Sequence, residues 1–285
     1  MVEYFSLQAA LCFAASHIFI RRGLVTSDAF TCSFISLGMT ALTLWLLTAF
    51  FLPLSSFWTP TVGYFIAAGI FAPALGRIFT YMGIERIGVS RSVPVSNSSP
   101  LVASIIAVLV VEEIWTALNF LGTTLVVLGV VILSRSGAGE AEWRKIDMIY
   151  PILASLSFGI SANLRKLGLL AENVPLMAAT VTSTTGFLFA VALLQTRGGF
   201  RSLVLAPSGC AWFFAAGLGN TAAMISVFYA LSLGRVVIVE PLVAANPVLS
   251  ILLSAIFLKD LEVITPRVLV GAALTVVGTV LVAVS

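Results

Sequence analysis

Two charged residues stand inside apolar runs that are long enough to cross a membrane. Glu240 lies in the segment VEPLVAANPVLS, residues 239–250, and Arg77 lies in a run that ends near residue 84. Hydrocarbon solvates neither charge, so each needs a partner, a wet cavity or access to the interface. In a cavity, Glu240 could bind a cationic group or exchange a proton. The alternatives are a carboxylate stabilised by the first turns of a helix and an arginine whose side chain reaches the interface.

Uncharged polar side chains in the apolar runs form a second group of candidates. Amides and phenols suit the wall of a cavity that binds a small polar molecule. The alternative is a hydrogen bond between neighbouring helices, which such residues often form in membrane bundles. Together with the two charged residues, the candidate substrate-binding residues are Arg77, Tyr81, Asn97, Asn163, Asn220, Tyr229, Glu240 and Asn246.

The sequence favours no class of enzyme. His17 is the only histidine, and we expect it to be a packing or interfacial residue. No paired carboxylates or metal-ligand spacing occur within an apolar run, and the glycines follow no phosphate-binding pattern. The three cysteines are odd in number and lie in apolar runs, where small side chains pack well. We therefore predict no catalytic residue, no metal and no cofactor.

The composition is that of a polytopic membrane protein. Of the 285 residues, 60% are hydrophobic and 9% are charged, and the mean hydropathy is +1.11. Such a chain lacks the polar surface that a soluble globule of this size needs. The net charge of +3 is spread over short connections without a dense basic patch, so nucleic acid is not an expected partner. We therefore expect an integral membrane protein that is located in a bacterial inner membrane.

Apolar runs of about 20 residues, the length of a membrane-crossing helix, occur ten times. We call them spans 1 to 10. Their predicted bounds are 5–20, 29–51, 61–84, 92–111, 115–134, 148–164, 174–196, 208–233, 236–258 and 267–284.

The chain contains an internal duplication of five spans. Residues 9–24 align with 154–169, residues 64–69 with 212–217, residues 93–104 with 240–251 and residues 121–133 with 270–282. We therefore divide the chain into two repeats, 1–138 and 139–285. Because five is odd, the second repeat enters the membrane from the side opposite to the first, which predicts an inverted pair. Such pairs commonly build transporters, with a binding site between them.

Prolines recur at matching places in the two repeats. Pro94 and Pro100 of span 4 align with Pro241 and Pro247 of span 9. A proline inside a helix leaves a carbonyl four residues earlier without its partner. In a membrane such groups are tolerated where they face a polar cavity or a neighbouring helix. We therefore expect these four prolines to break spans 4 and 9 beside the binding site.

The chain resembles the EamA-type branch of the drug/metabolite transporter superfamily. The likeness rests on ten short spans in two halves, and on a proline-bearing fourth span in each half followed by an acidic turn, VVEEIW at 110–115 and FLKDLE at 257–262. The segment EPLVAANPVLSILLSAIFLKD is closest to the family pattern. The resemblance covers the whole chain and implies a single-chain secondary carrier of small metabolites or drugs.

The orientation of the termini is open between two arguments. The connections after even-numbered spans hold Arg165, Lys166 and Arg235. These are fewer than the basic residues in the connections after odd-numbered spans, so the positive-inside rule places the odd connections in the cytoplasm and both termini outside it. Members of the family that the chain resembles usually have both termini in the cytoplasm. The connections after odd-numbered spans hold eleven basic residues, namely Arg21, Arg22, Arg86, Arg91, Arg135, Arg144, Lys145, Arg197, Arg201, Lys259 and Arg267.

The expected function is secondary transport of a small polar metabolite by alternating access, with the proton as a candidate coupling ion. An amino acid or a related zwitterion could bridge Arg77 and Glu240, which we expect to be too far apart for a direct ion pair. The alternatives are efflux of hydrophobic cations, a channel, and a scaffold or sensor that transports nothing. Apart from the substrate, the proton and the lipid bilayer, we expect no obligate partner, and the chain should act as a monomer.

Overall fold

A computed structural model of the chain describes residues 1–87, 95–134, 144–196, 198–257 and 266–285. All ten predicted spans are helical. Spans 1 to 5 comprise Val2–Gly23, Ala29–Phe51, Val62–Gly69 continued as Gly76–Ile87, Ser99–Val110, and Ala117–Ser134. Spans 6 to 10 comprise Ile149–Ala171, Pro175–Thr196, Pro207–Leu233, Val236–Val243 continued as Asn246–Phe257, and Pro266–Ala283. Short 3-10 turns occupy Leu54–Phe57, Lys145–Met148 and Gly199–Ser202.

Among the residues that the structure describes, five helices are long and apolar enough to cross a membrane, and they belong to spans 1, 2, 3, 7 and 8. Span 3 contains a π-helical turn at Ile70–Leu75 around Pro73, where Ala72 leaves helical geometry. Span 9 is divided at Ala244 and Ala245, and in span 4 a turn at Asn97 precedes the helix. The interruptions therefore fall in both repeats.

The prolines of spans 4 and 9 act differently from one another. Pro100 and Pro247 each occupy the second position of a new helix, Ser99–Val110 and Asn246–Phe257. A proline is tolerated in the first turn because its missing N–H would have no helical partner there. Pro100 and Pro247 therefore start the helices that follow the interruptions of spans 4 and 9, and neither lies in the interior of a helix. Pro241 does lie inside a helix, and Pro94 lies outside the described residues.

Span 6 is longer than expected. The prediction ended it at residue 164, before two basic residues, but the helix continues to Ala171. Arg165 and Lys166 therefore lie in the span, and counting them in a connection was wrong. Serine, asparagine and glycine mark much of the buried face of this helix, so the charges continue a polar stripe that begins earlier in the span.

Eight spans form a closed ring around the centre of the molecule. In order, the ring consists of spans 2, 7, 3, 6, 4, 9, 1 and 8, and each packs on the two beside it. The order alternates between the repeats. Replacing each span by its repeat partner gives the same ring read backwards, as a two-fold axis in the membrane plane requires. The all-α fold of two inverted five-helix repeats is thereby confirmed.

Spans 5 and 10 lie outside the ring, against each other and against the contact of spans 4 and 9. Their helices approach closely at glycines. A β-carbon added to Gly129 would lie 2.6 Å from the carbonyl oxygen of Gly271, and one added to Gly278 would lie 2.5 Å from that of Gly122. Small residues permit such contacts between membrane helices, so these glycines fix the position of the outer pair.

Candidate functional site

The interruptions of spans 4 and 9 face each other across a small cavity. Its volume is about 170 Å³. Glu240, Asn97 and Asn246 supply polar groups, and the side-chain amide of Asn246 donates to the carbonyl oxygen of Val243 at 3.0 Å. Glu240 is half-buried. We call this space the break cavity, and it is lined by Asn97, Ser99, Pro100, Val130, Glu240, Val243, Ala244 and Asn246.

Arg165 of span 6 reaches into the centre of the ring. Its guanidinium lies 5.7 Å from the ring centre of Phe228, which belongs to span 8 on the other side of the ring. Its Nη2 donates to Ser161 Oγ at 2.9 Å. The Nε–H is buried and has no hydrogen-bond partner among the described residues. Arg165 therefore retains a donor inside the protein that a bound anion could use.

Arg165 and Glu240 form an electrostatic pair between spans 6 and 9. Within the described part of the chain, their charged groups do not approach closely enough for a salt bridge. Neither charge is neutralised by direct contact with the other, so a ligand that carries both signs of charge could interact with both. A carboxylate would suit Arg165 and an ammonium group would suit Glu240.

The half of the ring nearest the chain termini is tightly closed. We call this side the terminal face and the other side the opposite face. Phe65 near the start of span 3 and Phe228 near the end of span 8 are fully buried, with ring centres 6.3 Å apart. Leu231 and Val236 are buried beside them. An apolar core therefore fills the interior at the terminal face.

Polar contacts seal the same face. Lys166 Nζ donates to the carbonyl oxygens of Leu231 at 2.9 Å and Gly234 at 2.7 Å, where span 8 ends. The carboxylate of Glu113 accepts hydrogen bonds from the backbone N–H groups of Val236 at 2.8 Å and Val237 at 3.0 Å, where span 9 begins. Cations stabilise helix C-termini and anions stabilise helix N-termini. These four bonds tie spans 4, 6, 8 and 9 together.

A larger pocket lies near the opposite face, between spans 2, 3 and 7. Its volume is about 500 Å³, and Arg77 and Asp28 are among its lining residues. Asp28 caps span 2, accepting hydrogen bonds from the backbone N–H groups of Phe30 and Thr31. Burial alone would raise the pKa of the Asp28 carboxyl, but these bonds and one from the Thr31 hydroxyl outweigh burial and lower that pKa. Asp28 therefore stays ionised and bound to its own helix.

Only some of the predicted site residues come together. Glu240, Asn97 and Asn246 share the break cavity. Arg77 lines the other pocket, so the structure does not place it opposite Glu240. Tyr229 lies at the terminal face in a cleft between spans 2, 7 and 8, with its ring stacked on Phe5 at 5.7 Å.

Three further candidates remain. Asn163 is buried, and its side-chain amide donates to the carbonyl oxygens of Ala103 and Gly159, both at 2.9 Å. It therefore joins span 6 to span 4, although its Oδ1 is buried without a partner among the described residues. Asn220 is half-buried in span 8. Tyr81 lies in span 3, and its side chain lies outside the described residues.

Arg165 is the residue that the sequence interpretation missed. The segment LRKLGLL was assigned to a connection because two adjacent basic residues resemble the end of a span. The repeat contained a usable signal, since Lys166 aligns with Arg21 whereas Arg165 aligns with the apolar Ile20. A charge present in one repeat and replaced by an apolar residue in the other is more easily explained by a specific site than by a shared interfacial pattern.

The ring, the interrupted spans and the internal charges define an integral membrane protein of the inverted-repeat class. A model of the EamA-like transporter family matches residues 2–135 and again residues 145–284. The chain belongs to this family. No curated protein matches the chain. A solved structure described only as "Crystal structure of protein" is 15% identical, covers 99% of this chain and 96% of that chain, and superposes with a TM-score of 0.82. This likeness concerns the fold alone.

Proposed function

We propose that the protein is a secondary carrier of a small zwitterionic metabolite, such as an amino acid. The observation that carries this proposal is the pair of opposite charges, Glu240 and Arg165, which attract each other within the protein without a salt bridge. A zwitterion satisfies both charges at once, whereas a single ion satisfies only one. The amides of Asn97 and Asn246 in the break cavity offer additional hydrogen bonds.

The closed terminal face supports a mechanism of alternating access. With that face sealed, the substrate would reach the pair from the opposite face, and the contacts of Lys166 and Glu113 would open in the alternate state. Glu240 is also the candidate site for a coupling proton, because a carboxylate that binds either a proton or an ammonium group links the two ligands. A Glu240→Gln variant should then transport without the pH dependence of the wild type.

The test compares amino acids with analogues that lack one charge. Purified protein in liposomes is assayed by counterflow, in which unlabelled substrate preloaded inside accelerates uptake of labelled substrate. Amino acids should support counterflow, and their amides and their deamino acids should not. Arg165→Gln should reduce the discrimination against the amides, and Glu240→Gln should reduce the discrimination against the deamino acids. Glu112→Gln, at an exposed carboxylate of the terminal face, is the matched control.

Other outcomes identify other functions. Counterflow of hydrophobic cations that does not depend on Arg165 would replace the zwitterion by a drug-like substrate. Flux without acceleration by preloaded substrate would indicate a channel. Absence of flux for the whole panel, in protein that keeps its fold, would support a scaffold or sensor.

A further inference from the structure

The pocket near the opposite face contains a positive charge that the proposed transport site does not use. Arg77 lies in its wall, and the guanidinium forms no hydrogen bond or ion pair with a described residue. Asp28 lines the same pocket, but its Oδ1 accepts from two backbone N–H groups and its Oδ2 accepts from the Thr31 hydroxyl at 2.7 Å. Because arginine stays protonated in proteins, the pocket holds a cation that has no hydrogen-bond or ion-pair partner among the described residues.

The remaining walls are largely apolar and aromatic. Phe34 and Leu37 come from span 2, Ile78 and Met82 from span 3, and Phe189 from span 7. The volume of about 500 Å³ is in the range of small-molecule sites. Such walls favour a ligand with an apolar body, and the free guanidinium favours one anionic group on that body.

The pocket lies on helix faces turned away from lipid. On span 2 the lining residues Ser33 and Leu37 fall on the side opposite Leu46 and Phe50, which are 65% and 84% exposed. On span 7, Phe189 lines the pocket whereas the adjacent Leu188 is 60% exposed. These positions favour a ligand from the aqueous phase over a lipid from the bilayer.

We propose that this pocket binds an amphipathic monoanion, with its carboxylate, sulfonate or similar group on Arg77 and its apolar body between Phe34 and Phe189. The site goes beyond the proposed function, because its ligand needs no amine and no contact with Glu240. A ligand held there lies between spans 2, 3 and 7 near the opposite face, so it would resist any movement that brings these spans together.

The test titrates 1-naphthoate and the uncharged 1-naphthamide into the full-length protein in phosphatidylcholine nanodiscs, followed by calorimetry. Naphthoate should bind at least about tenfold more tightly than naphthamide, because only the carboxylate pairs with Arg77. Arg77→Gln should remove this difference. Arg86→Gln, on the same helix but outside the pocket lining, should retain it. Phe189→Ala should weaken naphthoate binding about tenfold through lost apolar contact, and Leu188→Ala should leave it unchanged.

Three results would overturn the proposal. Equal binding of naphthoate and naphthamide to the wild type would exclude recognition by Arg77. Loss of naphthoate binding in Glu240→Gln, together with retention in Arg77→Gln, would place the ligand at the break cavity. Competition by phosphatidylglycerol in the nanodiscs that disappears in Arg77→Gln would assign the pocket to an anionic lipid headgroup. All three are binding measurements, so they stand apart from any failure of zwitterion transport.

Discussion

At the scale of single residues, the interior charges are arranged so that each is only partly compensated. The Arg165 guanidinium lies over the ring of Phe228 and donates a hydrogen bond to Ser161. Glu240 lines the break cavity and interacts electrostatically with Arg165 without a direct contact. A pair in direct contact would be more stable alone but would have to break before a ligand could bind. The separation therefore keeps both charges available.

The two charges should be energetically coupled. We expect Arg165→Gln and Glu240→Gln to be non-additive, with a coupling energy of about 0.5–3 kcal/mol in the free energy of thermal unfolding. The reason is that each single substitution leaves the other charge without its partner. The exposed residues Arg201 and Glu112, changed to glutamine singly and together, should be additive. Additivity in the Arg165 and Glu240 cycle would exclude a functional pairing of these residues.

Asn163 should matter for stability and little for specificity. Asn163→Ala removes two hydrogen bonds to backbone carbonyls of spans 4 and 6, and we expect it to lower the free energy of unfolding by about 1–3 kcal/mol. The preference for zwitterions over their amides should persist, as measured by counterflow in the variant that still folds. If the variant lost that preference while its stability was unchanged, Asn163 would be a substrate-binding residue and not a structural one.

The sequence indicated the types of the functional residues better than their partners. Glu240, Asn97 and Asn246 were recognised because a polar group in an apolar run is costly, and the structure places all three in one cavity. Arg77 was paired with Glu240 because depth along a helix can be counted from sequence. The position of a helix around the ring cannot be counted from the sequence. In the structure, Arg165 of span 6 is the cation that interacts with Glu240, and Arg77 lies in a different pocket.

At the scale of elements, the terminal face is held by side chains that cap helix ends. Lys166 binds the last carbonyls of span 8, and Glu113 binds the first N–H groups of span 9. Span 8 and span 9 are separated by only Gly234 and Arg235. Both caps therefore act on one short turn, and a movement of this turn would disrupt them together.

Removing the lysine cap should favour opening at the terminal face. The full-length protein, with its three cysteines replaced by serine and Val236→Cys introduced, is labelled with a water-soluble maleimide. Val236 is fully buried, so labelling requires opening. Lys166→Met should increase the labelling rate several-fold, roughly as expected for a loss of about 1 kcal/mol of stabilising contact. Lys145→Met, at an exposed lysine, should have no effect, and an unchanged rate in Lys166→Met would remove this cap from the gate.

The contact of spans 5 and 10 should not tolerate an added methyl group. A β-carbon at Gly129 would meet the backbone of span 10, so we expect Gly129→Ala to lower the free energy of unfolding by about 1–3 kcal/mol. Gly63 has nothing within 4 Å of its added β-carbon, which makes Gly63→Ala the control. Equal thermal stability of the two variants would contradict the close packing of the outer pair.

Helix bounds followed from hydropathy wherever a span ended in clear polar or proline signals. Span 2 was predicted at 29–51, and the helix is Ala29–Phe51 because Asp28 caps it. Span 6 was cut short because its last turns carry charges that point into the protein. The interruption of span 3 around Pro73 escaped notice because its flanking residues are uniformly apolar.

At the scale of the whole molecule, the corrected length of span 6 sharpens the question of orientation. With Arg165 and Lys166 inside the helix of span 6, Arg235 is the one basic residue left in the connections after even-numbered spans. Four of the eleven basic residues assigned to the connections after odd-numbered spans, Arg21, Arg22, Arg86 and Arg267, also lie inside helices, so seven remain there. By the positive-inside rule the opposite face should then be cytoplasmic. The structure would then be a state closed to the outside.

This orientation can be measured directly. A single cysteine introduced as Ser285→Cys in a cysteine-free background should react with an impermeant maleimide in intact spheroplasts. Arg201→Cys, on the opposite face, should react only after the membrane is permeabilised. The reverse pattern would place both termini in the cytoplasm, as the family habit suggested.

The alternation of repeats around the ring has a consequence for how the chain is made. Span 1 packs mainly on spans 8 and 9, span 2 on spans 7 and 8, and span 3 on spans 6 and 7. During synthesis these helices enter the bilayer before their principal neighbours exist, so the first five spans must wait in lipid for the second five. The two repeats are therefore interdigitated and do not form two separately packed units. A chain that ended after residue 138 would have helices whose packing faces are exposed to lipid. If residues 139–285 were supplied as a second chain, the two halves should still be able to form the ring.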